Sequence, residues 1–155
     1  MATGRIVVGV DGSEPSLEAL RWAARQAELT GDALEAVIAW DHPATGWPAV
    51  GPAPVPVPPP GPDPEEAARR TLDEAVTGTL GGEAAASTDR RTVQGPATRA
   101  LLDRARGATL LVVGARGHSG LKAALLGSVS HHLAQHAPCP VVVVRPTPTP
   151  GPLTP

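Results

Sequence analysis

The sequence predicts an α/β domain built on a doubly wound parallel sheet, and three observations carry that prediction. Short, continuous, β-branched apolar runs such as RIVVGV (5–10), TLLVVG (109–114) and PVVVVR (140–145) have the composition of strands buried on both faces. Between them, apolar residues recur at helical spacing in stretches whose ends carry recognisable start and stop residues. Strand and helix patterns alternate along the chain, which implies βαβ units with right-handed crossovers and helices on both faces of the sheet.

The first strand, 5–10, is bounded by Gly4 and by Asp11-Gly12. Ser13 then caps a helix that tolerates Pro15 in its first turn, repeats Leu17, Leu20, Ala24 and Ala27 along one face, and stops at Gly31. ALEAVIAW (33–40) reads as the second strand. Residues 42–64 hold ten of the nineteen prolines, so 42–63 is expected to be an extended insertion that builds neither helix nor ladder. Asp63-Pro64-Glu65-Glu66 opens the second helix with an N-cap acid, a proline at the first helical position and a glutamate three after the cap. Ala68, Leu72, Ala75 and Val76 form its apolar face, and Gly81-Gly82 ends it.

AASTDRRTVQ (85–94) reads as a polar third strand, suited to a sheet edge. Pro96 opens a helix carrying Leu101, Leu102 and Ala105 that Gly107 terminates. The fourth strand, 109–114, leads through a glycine-rich loop to a helix over about 128–137 and then to the fifth strand, 140–145. The tail 146–155, PTPTPGPLTP, lacks the apolar residues needed to fold and is expected to be disordered, leaving one domain over 1–145.

A chain of 155 residues suits a single domain with a single site. Its 13 Lys and Arg against 15 Asp and Glu leave a net charge of −2, which argues against nucleic acid or an anionic membrane as partner. Three Trp with no Phe or Tyr offer no platform for stacked bases. No apolar run approaches the roughly 18 residues of a membrane span, and the apolar stretch near the start is too brief for a secretory signal, so a cytoplasmic location is expected. The single cysteine, Cys139 between two prolines, reads as a small buried hydrophobe.

In a doubly wound sheet, ligands bind beyond the carboxyl ends of the strands where the winding reverses. That rule puts Asp11, after the first strand, and Gly114, after the fourth, across one crevice. The segment VVGARGHSGLKAALLGSV (112–129) lacks the Gly-Lys-Ser/Thr ending of a Walker loop, because Leu121 separates Gly120 from Lys122 and Ala123 follows. GVDGSE after the first strand likewise lacks the G-x-G-x-x-G of a dinucleotide site.

What remains is Gly114, two residues, Gly117, nine residues, then Gly127-Ser128. This spacing resembles the nucleotide-binding signature of universal stress proteins, and the likeness runs from IVVGVDGS (6–13) to APCPVVVVRP (137–146). The resemblance implies a strand order of 3-2-1-4-5 in an adenine-nucleotide alpha-hydrolase-like fold, ATP as ligand, and a homodimer formed through the edge strand 140–145. It also implies nucleotide contacts at Val10 and Asp11, and at the backbone near Ala39 for the adenine edge.

Elementary chemistry agrees. Glycines at 114 and 117 would let the backbone curl close to ribose and phosphate, and Gly127 would supply a positive φ as well as an open approach. The free N–H groups of Ser128, Val129 and Ser130 at a helix start favour an anion, with two serine hydroxyls as further donors. Arg116 is the best placed cation, ahead of His118 and Lys122. Asp11 has two readings: a partner for ribose hydroxyls or a phosphate-side metal, or a turn acid that starts the helix. His132 and His136 lie at i, i+4 beside His131 but have no third ligand of matching spacing, so no protein-held metal is expected; a magnesium ion would arrive on ATP phosphates.

The resemblance thus implies an ATP-binding regulatory module for the stress response. A slow ATPase or phosphoryl-transfer enzyme is the main rival, although no base or water-orienting residue beyond Asp11 can be identified. A dimeric module without nucleotide is the third reading. GVDGSEPS lacks the serine-glycine-rich phosphate loop of the related ATP-pyrophosphatases.

Overall fold

The computed structural model describes residues 4–42, 61–115 and 126–146. The expected insertion and tail fall largely outside them, at 43–60 and 147–155. The described elements run β1 (Arg5–Gly9), α1 (Glu14–Thr30), β2 (Ala33–Trp40), α2 (Pro64–Leu80), α3 (Gly82–Ser87), β3 (Asp89–Gln94), α4 (Ala97–Ala105), β4 (Leu110–Gly114), α5 (Ser128–His136) and β5 (Val141–Val144). The five strands form one all-parallel sheet in the order β3-β2-β1-β4-β5. β1 therefore pairs with both β2 and β4, and the winding reverses between β1 and β4.

Alternation along the strands divides the core into two layers. Ile6 and Val8 of β1, Leu34, Ala36 and Ile38 of β2, and Val112 of β4 pack with Leu20 of α1 and Leu72 and Val76 of α2. Val7, Val37, Leu111 and Val113 point the other way, against Leu101 and Ala105 of α4 and Leu133 of α5. Each central strand is thus covered on both sides, which is why its sequence reads as an unbroken apolar run.

Local chemistry sets the helix limits. Ser13 caps α1 by accepting a hydrogen bond from the Ser16 N–H, and Gly31 ends it in the left-handed region at φ 78°. Asp63 caps α2 by accepting from the Glu65 N–H, 3.0 Å away, with Pro64 at the first helical position. One expectation is corrected: residues 85–87 are not strand but the last turn of the short helix α3, and β3 begins only at Asp89. The Thr88 hydroxyl, donating to the Ala84 carbonyl at 2.7 Å, closes that turn, an alternative to the ladder that Ser and Thr side chains offer. β3 occupies a sheet edge, as its polar sequence led us to expect.

Among the described residues, the charge buried in this core is Glu35, 2% exposed, in the middle of β2 on the α4 side. Arg104 of α4 holds it through a fork, Nε to Oε1 at 2.6 Å and Nη2 to Oε2 at 2.7 Å, and Arg5 of β1 adds Nη1 to Oε2 at 3.2 Å. Burial pushes the Glu35 carboxyl up, but the Arg104 and Arg5 guanidinium groups outweigh it and hold the carboxyl below its ordinary value. No described helix is long and apolar enough to cross a membrane.

Leu133 is fully buried, so Leu133→Ala should lower unfolding free energy in urea by about 2–5 kcal/mol. Because the folded Glu35 titrates lower than the unfolded one, its contribution is complete above the unfolded value near 4.5 and is lost as pH falls through the folded value. Urea midpoints should therefore drop as the pH falls below about 4.5. In Glu35→Gln, weaker throughout, that component of the acid slope should be absent.

Candidate functional site

The carboxyl ends of β1 and β4 open into a cleft of about 350 Å³ at the switch point. Gly9, Val10 and Asp11 form one side, and Gly114 with the start of α5 forms the other. Val37 and Val113 line it, and Ala97 and Leu101 wall it from α4. Most of its interior is apolar, with a few polar groups brought together at one end, the usual make-up of a small-molecule site.

Helix α5 owes its position to one carbonyl. Ala115 O, one residue beyond β4, accepts the Gly127 N–H at 2.7 Å and the Ser130 hydroxyl at 3.1 Å. Ala115 itself donates to Val144 O at 2.9 Å, so the same residue continues the ladder to β5. The first bond inside α5 runs from the His131 N–H to Gly127 O, which leaves the N–H groups of Ser128, Val129 and Ser130 without intrahelical partners. No side chain caps this end, and all three residues line the cleft.

Two details differ from expectation and a third adds to it. Gly127 has φ −62° and ψ 160°, an ordinary extended N-cap, so the expected positive φ is not found there. Ser130 is buried and its hydroxyl donates to Ala115 O and Gly127 O, so of the two serines it is Ser128 whose hydroxyl no bond among the described residues directs. Gly114 is required by α1: a Cβ there would lie 2.6 Å from the Pro15 carbonyl oxygen and 2.7 Å from its carbon. The bare backbone lets β4 end directly beneath the start of α1, a packing requirement at a residue that also lines the cleft.

Asp11 makes the turn that the sequence offered as one of its two readings, and it stands in the cleft lining. Its Oδ1 accepts the Ser13 N–H at 2.9 Å and a short bond from the Ser13 hydroxyl, the turn that starts α1, while the residue also lines the cleft. The buried Ser16 hydroxyl steadies the same turn, accepting from the Asp11 N–H at 3.3 Å and donating to Ser13 O at 2.8 Å.

Of the ten residues singled out from the sequence, eight line this one cleft: Val10, Asp11, Ala39, Gly114, Gly127, Ser128, Val129 and Ser130. Arg116 and Gly117 lie outside the described residues, as do His118 and Lys122. Sequence reasoning missed Ser16, Ala97 and Leu101. Leu101 carried only a core signal, and its clue was Gly9, a glycine in a strand whose absent Cβ makes room for the Leu101 methyl. His132 and His136 touch ring to ring at 4.5 Å between centroids, exposed on α5, and among the described residues no group of three side chains could hold a metal. Cys139 is half-buried; burial raises its thiol above the ordinary value, against the pull of Arg5 and the Leu111 N–H.

The sheet order and the helix start at its switch point define a doubly wound parallel α/β protein with one cleft beyond its strand ends. The family comparisons narrow the class: the universal stress protein family model matches residues 3–145, and the chain belongs to that family. A universal stress protein of Mycolicibacterium smegmatis is 36% identical over 143 residues, covering 90% of this chain and 47% of the relative. One from Mycobacterium tuberculosis strain H37Rv is 33% identical over 143 residues, again 47% of its length. The chain thus spans about half the length of the curated relatives it matches. Among solved structures, a universal stress protein in complex with cAMP superposes with a TM-score of 0.67 at 27% identity, over 94% of this chain and 99% of the other.

Gly114→Ala should destabilise the fold by about 1–3 kcal/mol in chemical denaturation, because the colliding atoms are backbone and cannot swing aside.

Proposed function

We propose that this chain binds ATP in the switch-point cleft and acts as a nucleotide-responsive regulatory module of the stress response. The observation that carries the reading is the convergence of Asp11, Ala39, Gly114 and the uncapped start of α5 on one cleft. An anion gains there from three N–H groups and from the positive end of the helix, an interaction typically worth about 0.3–1 kcal/mol for the dipole alone. The likeness to a relative solved with cAMP supports an adenine nucleotide as the ligand class.

In this reading the adenine lies in the apolar part of the cleft near Ala39, Val37 and Leu101, and the phosphates run toward Gly127 and Ser128. Asp11 receives ribose hydroxyls or steadies a magnesium ion carried by the phosphates. Arg116 and Gly117 complete the phosphate loop. The protein works in the cytoplasm as a homodimer joined along β5, whose four valines remain half-exposed at the sheet edge. Turnover of ATP is at most slow, because the described cleft offers Asp11 alone as a candidate base.

Mass spectrometry of the small molecules released from purified protein on denaturation should find an adenine nucleotide, and calorimetry should show ATP binding. Gly127→Val should fold normally, since its backbone angles suit any residue, and lose ATP affinity by tenfold or more, on the order of 1.4 kcal/mol. Equal affinity in wild type and variant would remove the site. Phosphate release that disappears in Asp11→Ala would favour an ATPase over a binding module.

A further inference from the structure

Helix α4 carries a wall of the cleft at its first turns and a buried ion cluster at its last. Ala97 and Leu101 line the cleft, and a Cβ on Gly9 would lie 2.9 Å from the Leu101 Cδ1, so α4 rests directly on the end of β1. Arg104 lies three residues beyond Leu101, on the same side of the helix. Its fork to Glu35, at 2.6 and 2.7 Å, fixes both the distance and the rotation of α4 over β2, because two parallel N–H···O bonds allow one orientation. Arg5 ties the same carboxylate to β1 at 3.2 Å and reaches past it to the Arg106 carbonyl at 3.0 Å, fastening the residue that follows α4.

Beyond the ion cluster, Leu101 and Ala105 seat the helix in the apolar layer beneath it. It has nine residues, too few for stability on its own. Pro96 caps it without a side-chain bond, and Ala100 and Ala105 give small contacts. A buried ion cluster contributes modestly to stability compared with an apolar replacement, and its distinctive effect is on geometry.

We propose that Glu35, gripped by Arg104 and Arg5, is a positioning residue for the nucleotide cleft: it sets the seat of α4 and thereby where Ala97 and Leu101 stand against the base. Glu35 does not line the cleft; it acts through α4. The inference rests on the reading that the cleft binds an adenine nucleotide, and it adds to that reading a determinant in the core beneath α4.

The test uses the full chain, ATP as probe, and two variants. Arg104→Lys keeps the charge but loses the fork, at a position whose side chain is 36% exposed and tolerant of change. Glu35→Leu combined with Arg104→Met replaces the fork by apolar groups of similar size, while Arg5, 28% exposed, keeps the Arg106 carbonyl and turns to solvent. Both should melt close to wild type and bind ATP about tenfold more weakly by calorimetry. Both should also lose the nuclear Overhauser contact between the Leu101 methyls and the Gly9 α-protons. Wild-type affinity together with an intact Leu101–Gly9 contact in these variants overturns the proposal. A wild-type chain that fails to bind ATP overturns the nucleotide reading instead, and the Leu101–Gly9 contact then decides, without ligand, whether the ion cluster seats α4. Should the double variant fail to fold, Arg104→Lys decides the matter by the same two measurements.

Discussion

The arrangement of the site depends on the carbonyl of Ala115. By accepting the Gly127 N–H and the Ser130 hydroxyl, it draws the start of α5 back to the end of β4, however the chain travels between them. A helix start is only useful to an anion if its N–H groups are aimed and its carbonyls are satisfied elsewhere. Here the Ser130 side chain supports the aiming, which is why it is buried and why its hydroxyl is withdrawn from the cleft. On the same side of the cleft, Gly114 lies in equally close contact beneath Pro15 of α1.

Much of this was legible in the sequence for a physical reason: strands covered on both faces must be apolar at every position, and RIVVG and LLVVG say so directly. Helix ends were legible because Ser13, Asp63 and Gly31 perform local chemistry that needs no partner from afar. The glycine and serine spacing located the cleft for the same reason. What escaped depends on tertiary context. The start of β3 was misread because Thr88 chooses a bond to Ala84 over the ladder, and neighbouring letters do not reveal that choice. The packing need for Gly114 was not visible, since the atom a side chain would meet belongs to a residue 99 positions earlier. Glu35 drew no reading of its own within ALEAVIAW, because the partner that explains its burial, Arg104, is 69 residues away.

The two helical layers also divide labour. On one face, α1 and α2 pack through an apolar core around Leu20, Leu72 and Val76, and that layer meets the cleft through the turn from Asp11 to Ser16. On the other, α4 and α5 are short, each nine residues, and each brings its first turn to the cleft. Short helices held by a few specific polar contacts respond to a perturbation more readily than long ones seated on broad apolar surfaces.

The sheet has two unlike edges. β3 presents Asp89, Arg90 and Arg91, charges that discourage another strand from docking, whereas β5 presents an uninterrupted row of valines. A body with adhesive surface on both rims can stack without end, as fibrils do. With one rim charged and one apolar, this sheet offers strand addition a single favourable edge, and so no second rim from which a filament could continue.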